Sequence, residues 1–93
     1  MPHQVEDNVE LSRFEITDDG RVVGIADYRV EDDVVVIPYT EIDPALRGRG
    51  LGAELVVAAL DAIRVDGRRV APQCSYVATF IAEHPAYQDL LAP

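Results

Sequence analysis

The spacing of apolar and polar positions changes once along this chain, from period two to helical period. Between Val9 and Thr17, Phe14 and Ile16 fall on one side of a strand. Asp18-Asp19-Gly20 then reads as a hairpin turn, because glycine supplies the positive φ that such turns need. From Arg21 to Val30 the chain alternates, with Val22, Gly24, Ala26, Tyr28 and Val30 predicted to share a face. Glu31-Asp32-Asp33 marks a second turn. Val34 to Ile42 opens with an unbroken apolar run through Ile37, the pattern of a central strand covered on both faces. These segments predict a three-stranded antiparallel meander. Residues 1–8 are polar and acidic and are expected to be a flexible N-terminal tail, which leaves residues 9–93 as the single domain.

Leu51, Leu55, Val56, Ala59, Leu60 and Ile63 then recur at helical spacing and predict a helix over 51–64. Asp66-Gly67 ends it, with glycine just past the C-terminus. Arg69 to Pro72 is long enough only for a brief strand. Placed parallel to the third strand, it closes a right-handed βαβ crossover. Ser75 to Glu83 predicts a second helix with Val77, Phe80 and Ile81 inward. Pro85 interrupts it, and Tyr87 to Leu91 forms a last turn that packs back. The order βββ-α-β-α is that of an α+β domain, helices against one curved sheet.

Composition narrows the chemistry. The 93 residues suit one domain with a small core. Seventeen acidic residues against eight basic ones give a net charge of −9, which repels nucleic acid and anionic membranes. Every basic residue is arginine, and the lack of lysine excludes P-loop, Schiff-base and kinase-type chemistry. Cys74 is the only cysteine and the two histidines lie far apart, so neither a disulfide nor a structural zinc site is expected. No signal-type or membrane-spanning run is present, and a cytoplasmic setting is expected.

The segment Arg47-Gly48-Arg49-Gly50-Leu51-Gly52 stands between a central strand and the long helix. Its glycines leave backbone amides uncovered, and the helix N-terminus adds partial positive charge and free donors. In a chain this acidic, two arginines with no acid between Pro44 and Ala53 form a local positive island that suits a pyrophosphate. The spacing is not the G-x-G-x-x-G of a dinucleotide fold, and the loop follows a third strand rather than a first.

Arg47-x-x-Gly50-x-Gly52 resembles the acetyl-CoA pyrophosphate loop of the GNAT superfamily of N-acetyltransferases. The likeness extends to a subgroup of short GNAT-like proteins through Tyr39-Thr40-Glu41-Ile42, Pro72-Gln73-Cys74-Ser75-Tyr76 and His84-Pro85-Ala86-Tyr87, and it spans residues 9–91. It implies a minimal GNAT-like acyl-CoA fold, with acetyl-CoA as cosubstrate on Arg47, Gly48, Arg49, Gly50, Leu51 and Gly52, and with Ser75 at the pantetheine arm. It also implies that Cys74 lies near the thioester. Many members carry a tyrosine on the last helix that reprotonates the CoA thiolate, and this chain has Ala82 there. The chain is too short for the extra helices and strands of ordinary members. The acceptor site is therefore expected to be open, or completed by a second subunit in a homodimer.

Two residues are candidates for catalysis. Cys74 precedes a helix N-terminus, which lowers a thiol pKa, so it is read either as a nucleophile that carries an acetyl group or as a packed thiol. Glu41 faces away from Thr40 and Ile42 and is read as a general base for an amine, or as a surface partner of Arg47. Tyr39 shares its face. Ser75 also reads as the N-cap of the last helix, His84 as a cap at its C-terminus, and His3 is assigned nothing. The expected activity is acetyl transfer to an unknown amine acceptor, a small molecule or basic peptide, directly or through acetyl-Cys74. The alternative is a non-catalytic CoA-binding or protein-interaction module.

Overall fold

The computed structural model describes residues 3–93. The chain runs β1 (His3–Asn8), β2 (Arg13–Asp18), β3 (Arg21–Glu31), β4 (Val34–Ile42), a 3-10 turn at Pro44–Leu46, α1 (Leu51–Val65), β5 (Arg69–Pro72), α2 (Ser75–Glu83) and a 3-10 segment at Pro85–Leu90. One sheet holds all five strands in the order β1-β2-β3-β4-β5. It is antiparallel through β4, and β5 lies parallel to β4. This is an α+β fold.

The N-terminal reading needs correction. Residues 3–8 are not a loose tail but the edge strand β1, paired with β2 from His3↔Asp18 to Asn8↔Arg13. Met1 and Pro2 lie outside the described residues. An edge strand needs only one covered side, and here a single apolar residue, Val5, packs toward the core, so the hydrophobic pattern is nearly silent. Val9 to Ser12, expected to begin a strand, instead turns: the Leu11 amide donates to Asn8 Oδ1 at 3.1 Å and Ser12 sits at φ 53°.

The register on β3 also departs from simple alternation. A bulge between Ile16 and Thr17 of β2 places Val23 opposite the ladder step, so Val23 is buried while Val22 is 44% exposed. A second irregularity adds one residue on β4 between Val36 and Tyr39. Pro38 falls there, where a missing N–H costs the ladder nothing.

Cross-strand rows Phe14↔Ala26↔Thr40 and Ile16↔Gly24↔Ile42 face the helices. Phe14, Ile16 and Ala26 join Leu51, Leu55, Leu60, Ile63, Val77, Phe80 and Ile81 in one buried cluster. The alternate row, Glu15↔Ile25↔Glu41, points to the opposite side of the sheet. Arg64 ties the C-terminal 3-10 segment to α1 through Asp89 at 2.7 Å, and Tyr87 donates to Asp61 at 2.9 Å. Among the described residues, no helix is long and apolar enough to cross a membrane.

Candidate functional site

The site begins where two parallel strands part. β4 and β5 pair only from Val34↔Arg69 to Ile37↔Pro72. Beyond that the Cys74 amide donates to the Ile37 carbonyl at 2.9 Å and the chain turns into α2. β4 continues alone to Ile42, so the edge of Tyr39–Ile42 toward β5 has no strand partner among the described residues. Side chains with chemistry therefore sit beside unpaired backbone.

The glycine loop closes the other end. Gly48 and Gly50 lie at φ 84° and 78°, where a side chain is strained although space is open around both. Gly50 is the N-cap of α1 and supplies no side-chain hydrogen bond, and the first backbone bond runs from the Glu54 amide to the Gly50 carbonyl at 3.1 Å. The amides of Leu51, Gly52 and Ala53 are thus left as free donors at the positive end of a 15-residue helix.

A groove of about 730 Å³ joins these two features. Tyr39, Thr40, Glu41 and Ile42 of β4 form one wall; Leu46, Arg47, Gly48 and Gly50 of the loop, with Leu51, Gly52, Leu55 and Val56 of α1, form the rest; Tyr76 of α2 faces them. The structure thus brings Glu41, Arg47, Gly48, Gly50, Leu51 and Gly52 together. Arg49 and Ser75 border the groove through their neighbours without lining it. Neither Arg47 nor Arg49 forms an ion pair among the described residues.

Cys74 stands one side chain behind the wall. Its sulfur is hydrogen-bonded to Thr40 Oγ1 at 3.2 Å across the fork between the strands, and it is half-buried. Burial pushes the thiol up, but the Thr40 hydroxyl and the amides of Val77, Tyr76 and Thr40 outweigh this and hold it below the ordinary value. Cys74, rather than Ser75, is the N-cap of α2.

Glu41 lies on the other side of β4 and accepts a hydrogen bond from the Tyr39 hydroxyl, not from Arg47. That bond, ahead of burial and the charges of Glu41 and Asp27, raises the Tyr39 pKa. His84 caps α2 by donating Nδ1–H to the Phe80 carbonyl at 2.6 Å while its ring stacks on Phe80. His3 meets Glu54 at 2.9 Å, away from the groove. Among the described residues no group of three His, Cys, Asp or Glu side chains is arranged to hold a metal.

Two groove residues were not singled out from the sequence for this role. Thr40 is the link between Cys74 and the groove. Tyr76 lies off the buried stripe Val77, Phe80, Ile81 and is 45% exposed. A large aromatic one position off the apolar stripe is the signal that marks it.

Comparison with known proteins decides the family. Residues 13–90 match the profile of the GCN5-related N-acetyl-transferases. The chain belongs to the GCN5-related N-acetyltransferase family. Over 92 residues it is 33% identical to Protein NATD1 of Bos taurus, covering 96% of this chain and 80% of that protein. Protein NATD1 of Homo sapiens is 30% identical with the same coverage. The fold is shared with a GCN5-like protein of Staphylococcus aureus at TM-score 0.74 and 23% identity, over 96% of this chain and 87% of that one. The ribosomal-protein-S18-alanine N-acetyltransferase of Escherichia coli aligns at TM-score 0.66 and 19% identity, over 77% of this chain and 50% of that one. The sheet, crossover helix and C-terminal helix described above are therefore a small GNAT domain.

Proposed function

We infer that this protein is an acetyl-CoA-dependent N-acetyltransferase. The observation that carries the reading is the meeting, in one groove, of an unpaired β4 edge and an uncapped helix N-terminus. Helix amides and a positive macrodipole suit a diphosphate, and Arg47 adds a planar donor fork. The amides of residues 48–52 hold the diphosphate in this reading, with Arg49 at the rim and Ser75 beside the pantetheine arm. The free backbone groups of Tyr39–Ile42 match the amides of that arm. Acetyl-CoA supplies an activated acyl group as its thioester.

The residues of the chain do the rest. Glu41, directly or through a water, takes the proton of the amine acceptor; the amine nitrogen bonds to the acetyl carbon, and the carbon–sulfur bond breaks. In the two-step route the Cys74 thiolate attacks the acetyl carbon first, the carbon–sulfur bond to CoA breaks, and CoA leaves as a thiolate that takes its proton from water, with the acetyl group left on Sγ. The amine then displaces Cys74. The lowered thiol and its bond to a groove residue, Thr40, support this route. Glu41 and Cys74 flank β4 from opposite sides, which keeps base and nucleophile apart. The acceptor is an amine, and a net charge of −9 favours a cationic one.

Calorimetric titration with acetyl-CoA tests the reading. One saturable site per chain is expected, weakened about tenfold in Arg47→Ala, the scale of a lost charge-assisted hydrogen bond. Intact mass then reads one added acetyl group on the wild type and none on Cys74→Ala if the two-step route operates. A binding module binds acetyl-CoA but releases no acetyl group above background. No binding at near-millimolar ligand sinks the reading.

A further inference from the structure

Of the four tyrosines, three give their hydroxyls to carboxylates: Tyr28 to Asp7, Tyr39 to Glu41 and Tyr87 to Asp61. Tyr76 is the exception among the described residues. Its hydroxyl reaches across from α2 to the first turn of α1, and a Cβ built on Gly52 would stand 2.8 Å from it. Gly52 is the second residue of α1, so the hydroxyl lies against the first turn of that helix, whose Leu51, Gly52 and Ala53 amides are uncapped. Tyr76, the first-turn residues Leu51 and Gly52, and Arg47 all line the same groove. Such a set is complementary to an anionic oxygen and to little else.

We propose that Tyr76 is a donor-binding residue whose hydroxyl, together with the first-turn amides of α1, holds a phosphate oxygen of the CoA diphosphate. The proposal rests on the acetyl-CoA reading above. It also gives Gly52 a second purpose. Gly52 is helical and needs no unusual φ; any side chain there occupies the place of the Tyr76 hydroxyl. The glycine is a space reserved for another residue's donor as much as an approach for the ligand's backbone contact.

The test compares two ligands by calorimetry on the full chain: acetyl-CoA, and 3′-phospho-ADP, which carries the diphosphate but no pantetheine arm. Tyr76→Phe keeps the ring and removes only the hydroxyl, and unchanged thermal unfolding checks the fold. The variant is expected to lose about tenfold in affinity for both ligands. Gly52→Ala, which pushes the tyrosine aside, is expected to do the same, and adding it to Tyr76→Phe is expected to cost less than the sum of the two. Loss for acetyl-CoA alone overturns the proposal and assigns the hydroxyl to the pantetheine arm or the thioester. No loss for either ligand also overturns it while leaving the CoA site intact. A wild type that binds neither ligand instead removes the reading on which the proposal rests.

Discussion

At the residue scale, the fork between β4 and β5 sets the properties of Cys74. The thiol is lowered by one hydroxyl and several amides against the opposing effect of burial. Thr40→Val keeps the shape and removes the hydroxyl, so the thiol pKa is expected to rise. The midpoint of alkylation rate against pH reads this directly; an unmoved midpoint assigns the shift to the helix amides alone. Tyr28 is the converse case. Burial first, then its hydrogen bond to Asp7, push its pKa up to about 12. A raised folded value means that the neutral phenol stabilises the fold fully below its ordinary pKa of 10.0, and that this contribution disappears as pH climbs toward 12. Ultraviolet titration of tyrosinate should show a late step that Tyr28→Phe abolishes.

At the scale of elements, two glycines work for different reasons. Gly24 of β3 pairs with Ile16 of β2 and Ile42 of β4, and a methyl group there meets Ile42 Cδ1 in hard overlap, Ile16 Cγ2 at 2.8 Å and the Glu41 carbonyl at 3.2 Å. Gly24→Ala should cost roughly 1–3 kcal/mol by overpacking, read by chemical denaturation, and because β4 carries Glu41 it should also loosen the groove wall. Gly50 has nothing within 4 Å of its Cβ position, and its need for glycine comes from φ 78° alone. Gly50→Ala should therefore cost about 1 kcal/mol through strain, without a clash. The sequence made the loop and the long helix legible, because glycine spacing and an apolar stripe of helical period are local signals. The bulge that buries Val23 instead of Val22 was not legible, since a one-residue insertion depends on the partner strand.

At the scale of the molecule, β1 is part of the folded unit. It carries a full ladder to β2, the Asp7 partner of Tyr28 and the His3 contact to α1. Removing residues 1–8 should cost about 2 kcal/mol, lowering the melting temperature by roughly 8–16 °C for a domain of this size. A dispensable tail would leave melting unchanged.

What the sequence determined by itself was whatever short-range periodicity and backbone preference dictate. That covers the meander with its Asp18-Asp19-Gly20 turn, α1 from Leu51 onward, α2 over Ser75–Glu83, and the glycine-rich loop before a helix with its likeness to acetyltransferases. Only the tertiary structure decided which of these features share a groove. Pairing of β4 with β5 ends at Pro72, and that ending exposes Tyr39–Ile42, brings Thr40 to Cys74 and sends Tyr76 across to Gly52. Each of these contacts joins residues at least 24 positions apart. A pattern read along the chain registers which side of its own element a residue occupies. It carries no information on where two elements part company, and in this fold that parting is what builds the site.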